Sequence, residues 1–168
     1  RPKEIGERNQ FGHWEGDLIA FRKEFGKSNL TSLIERRSRY IVLTRNPSRH
    51  SMGVMAGIEH HLGPLPQTLR QSITFDRGTE FAAFATLKTK LGMTSYFCKP
   101  SAPWQKGSVE NSNGRIRRFL SLDTDIAALP DSDLAAIVQR LNNTPRKCLG
   151  FRTPTEVIGE QIAAHIAT

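Results

Sequence analysis

Three acidic residues stand where chemistry at a phosphate could be done: Asp17 in GHWEGDLI, Asp76 in ITFDRGTEF and Glu110 in PWQKGSVENSNGRIRRF. Asp17 and Asp76 lie at or near the ends of apolar, strand-like runs. Glu110 opens a helix-like stretch dense in arginine, 34 positions after Asp76. Carboxylates gathered from separate elements supply the hard oxygen ligands that Mg²⁺ and Mn²⁺ prefer, and paired divalent ions can drive in-line displacement at a phosphodiester. Taken singly, each acid has a plainer reading. Asp17 reads as an edge-strand residue reaching solvent, Asp76 as a turn residue in Asp-Arg-Gly, and Glu110 as a first-turn acid favoured by the helix dipole. The flanking motifs, taken together, outweigh those readings. Glu15, on the same strand face as Asp17, and Glu80, four residues after Asp76, are rival acids. His13 and His50 are lone histidines and read as structural or surface residues.

Positioning these acids requires a sheet. Residues 14–21 read as a strand whose alternation puts His13, Glu15, Asp17, Ile19 and Phe21 on one face and Trp14, Gly16, Leu18 and Ala20 on the other. Residues 30–35 and 40–44 complete a three-stranded meander. A helix follows over 51–62, weakened by Gly53 and Gly57. A short buried strand at 72–75 delivers Asp76. Helical spacing of Phe81, Phe84, Leu87 and Leu91 predicts a helix over 80–91, with Gly92 as its C-cap. A fifth strand at 94–98 leads to a loop over 99–107. Ser108 is the expected N-cap of the Glu110 helix. Helices over 131–141, capped by Asp131 or Ser132, and over 155–167 end the chain. Residues 1–11 read as an extended leader and 12–168 as one domain. The order β-β-β-α-β-α-β-α-α-α predicts an α/β fold, a mixed five-stranded sheet flanked by helices.

Lys and Arg number 24 against 16 Asp and Glu, a net charge of +8. With pI near 10.0, this balance favours a polyanionic partner. Hydrophobic residues make up 38% of the chain, which argues against global disorder. No apolar run approaches the ~20 residues needed to span a membrane. Cys98 and Cys148 match no metal-ligand spacing and read as reduced thiols of a cytosolic protein.

Nucleic-acid contacts are expected from two stretches. The loop carries Lys99, Trp104, Gln105 and Lys106, where an aromatic among basic and amide groups could stack a base or plug the core. The helix carries Asn113, Arg115, Arg117 and Arg118. Glu110 and Arg117 are seven positions apart, close to two turns, so a shared face could meet phosphates beside the acid. Arg36, Arg37 and Arg39 form one further cluster, and Arg146, Lys147 and Arg152 another. Each could touch DNA or aid solubility.

GHWEGDLI, FDRGTEF, YFCKPSAPWQKGSVENSNGRIRRF and LNNTPRKCLGFRTPTEV occur in that order over residues 12–157. In these segments the chain resembles the catalytic domain of IS30-family insertion-sequence transposases, within the DDE transposases and retroviral-type integrases. It departs from the family pattern at Lys99, usually acidic there, and at Ser101, usually histidine. The resemblance implies a ribonuclease-H-like fold and a triad of Asp17, Asp76 and Glu110. It also implies two Mg²⁺ or Mn²⁺ ions per active site with DNA bound, Asp17 bridging them, Asp76 completing one metal site and Glu110 the other. The implied reaction is cleavage at transposon ends followed by strand transfer to target DNA, in a homo-oligomer associated with the bacterial nucleoid. The alternatives are a metal-dependent nuclease of the same fold and a non-catalytic DNA-binding module. Family members carry an N-terminal helix-turn-helix region, so a chain opening on RPKEIGER is expected to be a fragment.

Overall fold

The computed structural model describes residues 2–99 and 103–167, apart from the side chains of Lys3, Glu4, Pro103 and Trp104. Strands β1 (His13–Ile19), β2 (Asn29–Glu35), β3 (Ile41–Asn46), β4 (Ser72–Phe75) and β5 (Thr94–Phe97) form one sheet in the order β3-β2-β1-β4-β5. The first three strands pair antiparallel; β4 runs parallel to β1, and β5 parallel to β4. The mixed five-stranded sheet expected from the sequence is therefore formed. β1 is its central strand, which removes the edge-strand reading of Asp17.

Helices cover both faces. On one, α2 (Ser51–Leu62) and α3 (Ala85–Leu91) bury Val54, Met55, Ile58 and Leu87 against Trp14, Leu33, Ile73 and Phe75. On the other, α4 (Gly107–Ile116) and α5 (Asp131–Asn142) bury Val109, Ile116, Leu134 and Leu141 against Ile19, Leu30, Ile34 and Ile41. The alternation along β1 sorts the two cores: Trp14 joins the first and Ile19 the second. The last helix, α6 (Pro154–Ile166), begins with a reciprocal capping box between Thr153 and Glu156.

Two glycines mark close approaches. A Cβ at Gly16 would stand 2.6 Å from the Phe75 ring, so this glycine lets β4 seat its last side chain against β1 immediately before Asp76. A Cβ at Gly57 would stand 2.5 Å from Thr44 Cγ2, so the residue that weakens α2 intrinsically is what lets it lie against β3. Asn142, at the end of α5, accepts from Ile41 N and donates to Ile41 O, both at 2.8 Å, satisfying the backbone of edge strand β3.

Several boundaries differ from the sequence reading. The expected leader contains a helical turn, α1 (Lys3–Gly6), with Ile5 buried. The 80–91 helix is divided into a 3₁₀ turn at Thr79–Phe81 and α3. Phe81 stacks on Phe75 with centroids 4.3 Å apart, which pins that turn to the sheet. Lys106, not Ser108, is the N-cap residue of α4, and Pro130 precedes α5 where Asp131 or Ser132 was expected to cap. Gly92 ends α3 in the left-handed conformation, as expected.

Candidate active site

β1 and β4 run parallel with Glu15 level with Thr74. Continuing that register brings Asp17 level with Asp76, at the C-terminal ends of adjacent strands. Asp76 Oδ1 accepts from Gly78 N at 2.9 Å, a local turn that fixes its carboxylate. The other oxygen, Oδ2, and Asp17 Oδ1 each lie 2.8 Å from the Lys106 ammonium. Lys106, in the 3₁₀ turn Pro103–Lys106 before α4, thus places one positive atom between the two aspartates. Burial works to lower the Lys106 pKa, but the two carboxylates outweigh it and hold the group above its ordinary value. The Asp17 side chain is 20% exposed and that of Asp76 41%, so the pair is open on one side.

Asp17 is oriented from behind. Its Oδ2 accepts from Asn113 Nδ2 at 2.8 Å, and Asn113 Oδ1 accepts from Ser32 Oγ at 2.6 Å. The relay runs from β2 through α4 to β1 and fixes one carboxylate oxygen while the other faces the cation. Glu110 lies in the first turn of α4 with its side chain exposed. Among the described residues, no three of His, Cys, Asp and Glu stand close enough together to hold a metal, so Glu110 stands apart from the aspartate pair here.

Of the rival acids, Glu15 is fully buried and structural. Its Oε1 pairs with Arg36 Nε at 2.8 Å, and its Oε2 accepts from Val109 N at 2.9 Å, which anchors α4 to β1. Glu80 remains outside the site, folded against Gly78 in the 3₁₀ turn.

The expected DNA-contacting residues are in different settings. Arg118 is exposed and Arg115 half-buried. Arg117 turns back to the sheet: its guanidinium donates to Ala20 O at 2.5 Å and lies over the Phe21 ring. Asn113 and Lys106, expected at DNA, are engaged with the aspartates. Gln105 Oε1 accepts from Lys99 N at 2.8 Å, and Lys99 is exposed. The Trp104 side chain and Ser101 lie outside the described residues. Asn113 and Lys106 carried only a generic signal, a polar residue in a basic stretch. Nothing local in the sequence tied either to an aspartate some 90 residues away.

The donor set suits a divalent cation. Two aspartates turn oxygens toward one positive centre, and an amide orients one of them from outside, the arrangement that tunes metal carboxylates. None of the described helices is long and apolar enough to cross a membrane.

Comparison with known proteins agrees with this architecture. The integrase core domain model matches residues 7–103. The transposase of insertion sequence IS1086 from Cupriavidus metallidurans is 39% identical over 97% of this chain, and transposase InsI of IS30A from Escherichia coli is 38% identical over the same share. The chain spans 48% and 42% of their lengths, respectively. Among solved structures, the catalytic core domain of BIV integrase superposes with a TM-score of 0.71 at 20% identity, covering 92% of this chain and 98% of that one. A simian T-cell lymphotropic virus intasome chain gives 0.68 at 22% identity, covering 86% of this chain and 53% of that one. The chain therefore belongs to the integrase core domain family, with IS30-type transposases as relatives over nearly all of its length.

Proposed function

We propose that this chain is the catalytic domain of a DDE transposase, in which Asp17, Asp76 and Glu110 hold divalent metal for cleavage and joining of DNA. The observation that carries the reading is the convergence of Asp17 and Asp76 on a single cation at the ends of two parallel strands. Glu110, in the first turn of α4 with its side chain exposed, would be the third ligand, joining the aspartates when metal and DNA are present. Bound Mg²⁺ or Mn²⁺ would supply activation of the attacking oxygen and stabilisation of the leaving one. Asp17, on the central strand and oriented by Asn113, would be the carboxylate shared between two ions. Asp76 would complete one metal site and Glu110 the other.

The reaction balances without an external energy source. In cleavage, water attacks phosphorus at the transposon end, the P–O3′ bond breaks, and a 3′-hydroxyl and a 5′-phosphate result. In joining, that 3′-hydroxyl attacks a target phosphodiester, one P–O bond forms as another breaks, and a target 3′-hydroxyl leaves. No side chain need take the proton as a general base. DNA is thus the partner, and Lys99, Arg115 and Arg118 would meet its phosphates from the loop and from the C-terminal end of α4 and the residues after it. A homo-oligomer is the expected working assembly, since two ends must be joined to one target, and the bacterial nucleoid is the expected location.

The test is strand transfer in the full-length transposase with Mg²⁺. Asp17→Ala, Asp76→Ala and Glu110→Ala should each abolish cleavage and joining while keeping a cooperative unfolding transition. Cleavage without joining by the wild type would instead assign a nuclease of the same fold.

A further inference from the structure

Arginines from three stretches far apart in sequence come together in space. The tip of the β2–β3 hairpin contributes Arg36, Arg37 and Arg39, the segment before α6 contributes Arg152, and the chain preceding β1 contributes Arg8. They line one cavity of about 450 Å³, on which Cys148 also borders. Negative charge there is already committed: Glu160 pairs with Arg152, and Glu15 pairs with Arg36. Arg8, Arg37 and Arg39 are left without a carboxylate partner among the described ion pairs. Burial, followed by repulsion from Arg39 and Arg36, depresses the Arg8 pKa. A cleft lined by one sign of charge focuses the field and raises the local concentration of anions.

The hairpin tip is built to hold this arrangement. Glu35, buried at the end of β2, accepts from Gly12 N, Arg37 N, Ser38 N and Ser38 Oγ, which fixes the turn carrying the arginines. Arg37 lies over the Phe11 ring, 4.3 Å from its centroid, and donates to Asn9 O. Arg39, in the left-handed conformation, donates to Ser108 Oγ at 3.0 Å. The cavity is thereby tied to the first turn of α4, two residues before Glu110. Arg36 reaches the same helix through Glu15, which stands two residues from Asp17 along β1, or about 6.6 Å.

From this placement we infer that the arginine cavity is a second DNA-binding site, which grips the phosphodiester backbone a few nucleotides from the reacting phosphate. The inference rests on the reading of the chain as a DNA-acting transposase core. DNA is the favoured ligand because a strand carries one charge per ~3.4 Å of helix axis. Glu35, at the base of the hairpin, pairs with Trp14, three residues or about 10 Å along β1 from Asp17, so a strand held at the aspartates would have neighbouring phosphates within a few nucleotides of the hairpin. Guanidinium groups also match phosphate oxygens in pairs.

Binding of a fluorescent duplex by the chain, followed by anisotropy over a range of salt, tests it. Arg8→Gln combined with Arg37→Gln should lower the log–log salt slope by about two, since each phosphate no longer neutralised takes ~0.9 from the slope. Arg8→Lys with Arg37→Lys should restore it, which a purely structural loss would not allow. DNA should also protect Cys148, exposed at the cavity, from maleimide labelling, with buried Cys98 as the internal control. An unchanged slope and unprotected Cys148, with wild-type DNA binding intact, would overturn this inference alone. Failure of the wild type to bind DNA would overturn both it and the functional reading. Binding of polyglutamate that depends on these arginines, with DNA binding independent of them, would assign the cavity to an acidic protein and overturn the inference.

Discussion

Asp17 and Asp76 reach the same positive atom from neighbouring parallel strands, each with one carboxylate oxygen 2.8 Å from Lys106 Nζ. The ammonium occupies a place where a divalent ion would satisfy both acids. Lys106 is therefore expected to compete with metal in the free protein. Lys106→Ala should tighten Mn²⁺ binding about tenfold, the equivalent of ~1.4 kcal/mol. The same change should lower the melting temperature without metal, because two carboxylates are left facing each other, and added Mn²⁺ should recover it. Weaker Mn²⁺ binding by this variant would contradict the competitor role.

Asn113 donates to Asp17 Oδ2, and on the proposed reading it would act from outside the metal shell. Loss of such a partner commonly weakens metal affinity or activity by about 10–100-fold. Asn113→Ala should fall in that range, and Ser32→Ala, one hydrogen bond further back, should be milder. Calorimetric titration with Mn²⁺ measures both, and wild-type affinity in Asn113→Ala would remove Asn113 from the site.

Glu15 and Asp17 are two residues apart but differ in kind. Glu15 is 0% exposed and its partner Arg36 is 2% exposed. Arg36→Ala removes the described ion-pair partner of a buried carboxylate, so it should destabilise the fold by about 3–5 kcal/mol. Urea unfolding tests this, and a loss under about 1 kcal/mol would show the pair to be dispensable. Asp17→Ala, by contrast, should unfold near the wild-type midpoint.

Arg117 and Arg118 are adjacent but face different ways. Arg118→Ala should lower the salt slope of DNA binding by ~0.9, with similar weakening on every sequence. Arg117→Ala removes the hydrogen bond to Ala20 and the packing on Phe21, so it should cost about 1–2 kcal/mol of stability and leave the slope close to wild type. The reverse pattern would place Arg117 at the phosphates.

How far the sequence reveals this arrangement depends on the range of each interaction. The strands were legible because apolar alternation is local, and strand parity alone put Asp17 and Trp14 on opposite faces. Element order implied a mixed five-stranded sheet but not the parallel pairing of β1 with β4, and the grouping of Asp17 with Asp76 was implied by the family resemblance. Lys106, Asn113 and the Glu15–Arg36 pair were not legible in these roles, because each depends on α4 docking across β1 and β2, which no local signal encodes. The division of the 80–91 segment was hidden for a similar reason: stacking of Phe81 on Phe75 overrides its helical spacing. The Thr153–Glu156 capping box was readable locally, with its Ser/Thr-x-x-Glu spacing in full view.

Titration of the wild type and Asp76→Asn with Mn²⁺ by calorimetry asks most directly whether the acidic pair is a metal site. The wild type should bind Mn²⁺ weakly without DNA, because substrate phosphates complete the shell, and more tightly with a pre-cleaved transposon-end duplex. Asp76→Asn should lose binding in both cases while keeping the wild-type unfolding transition. Equal Mn²⁺ binding by wild type and Asp76→Asn would contradict the assignment.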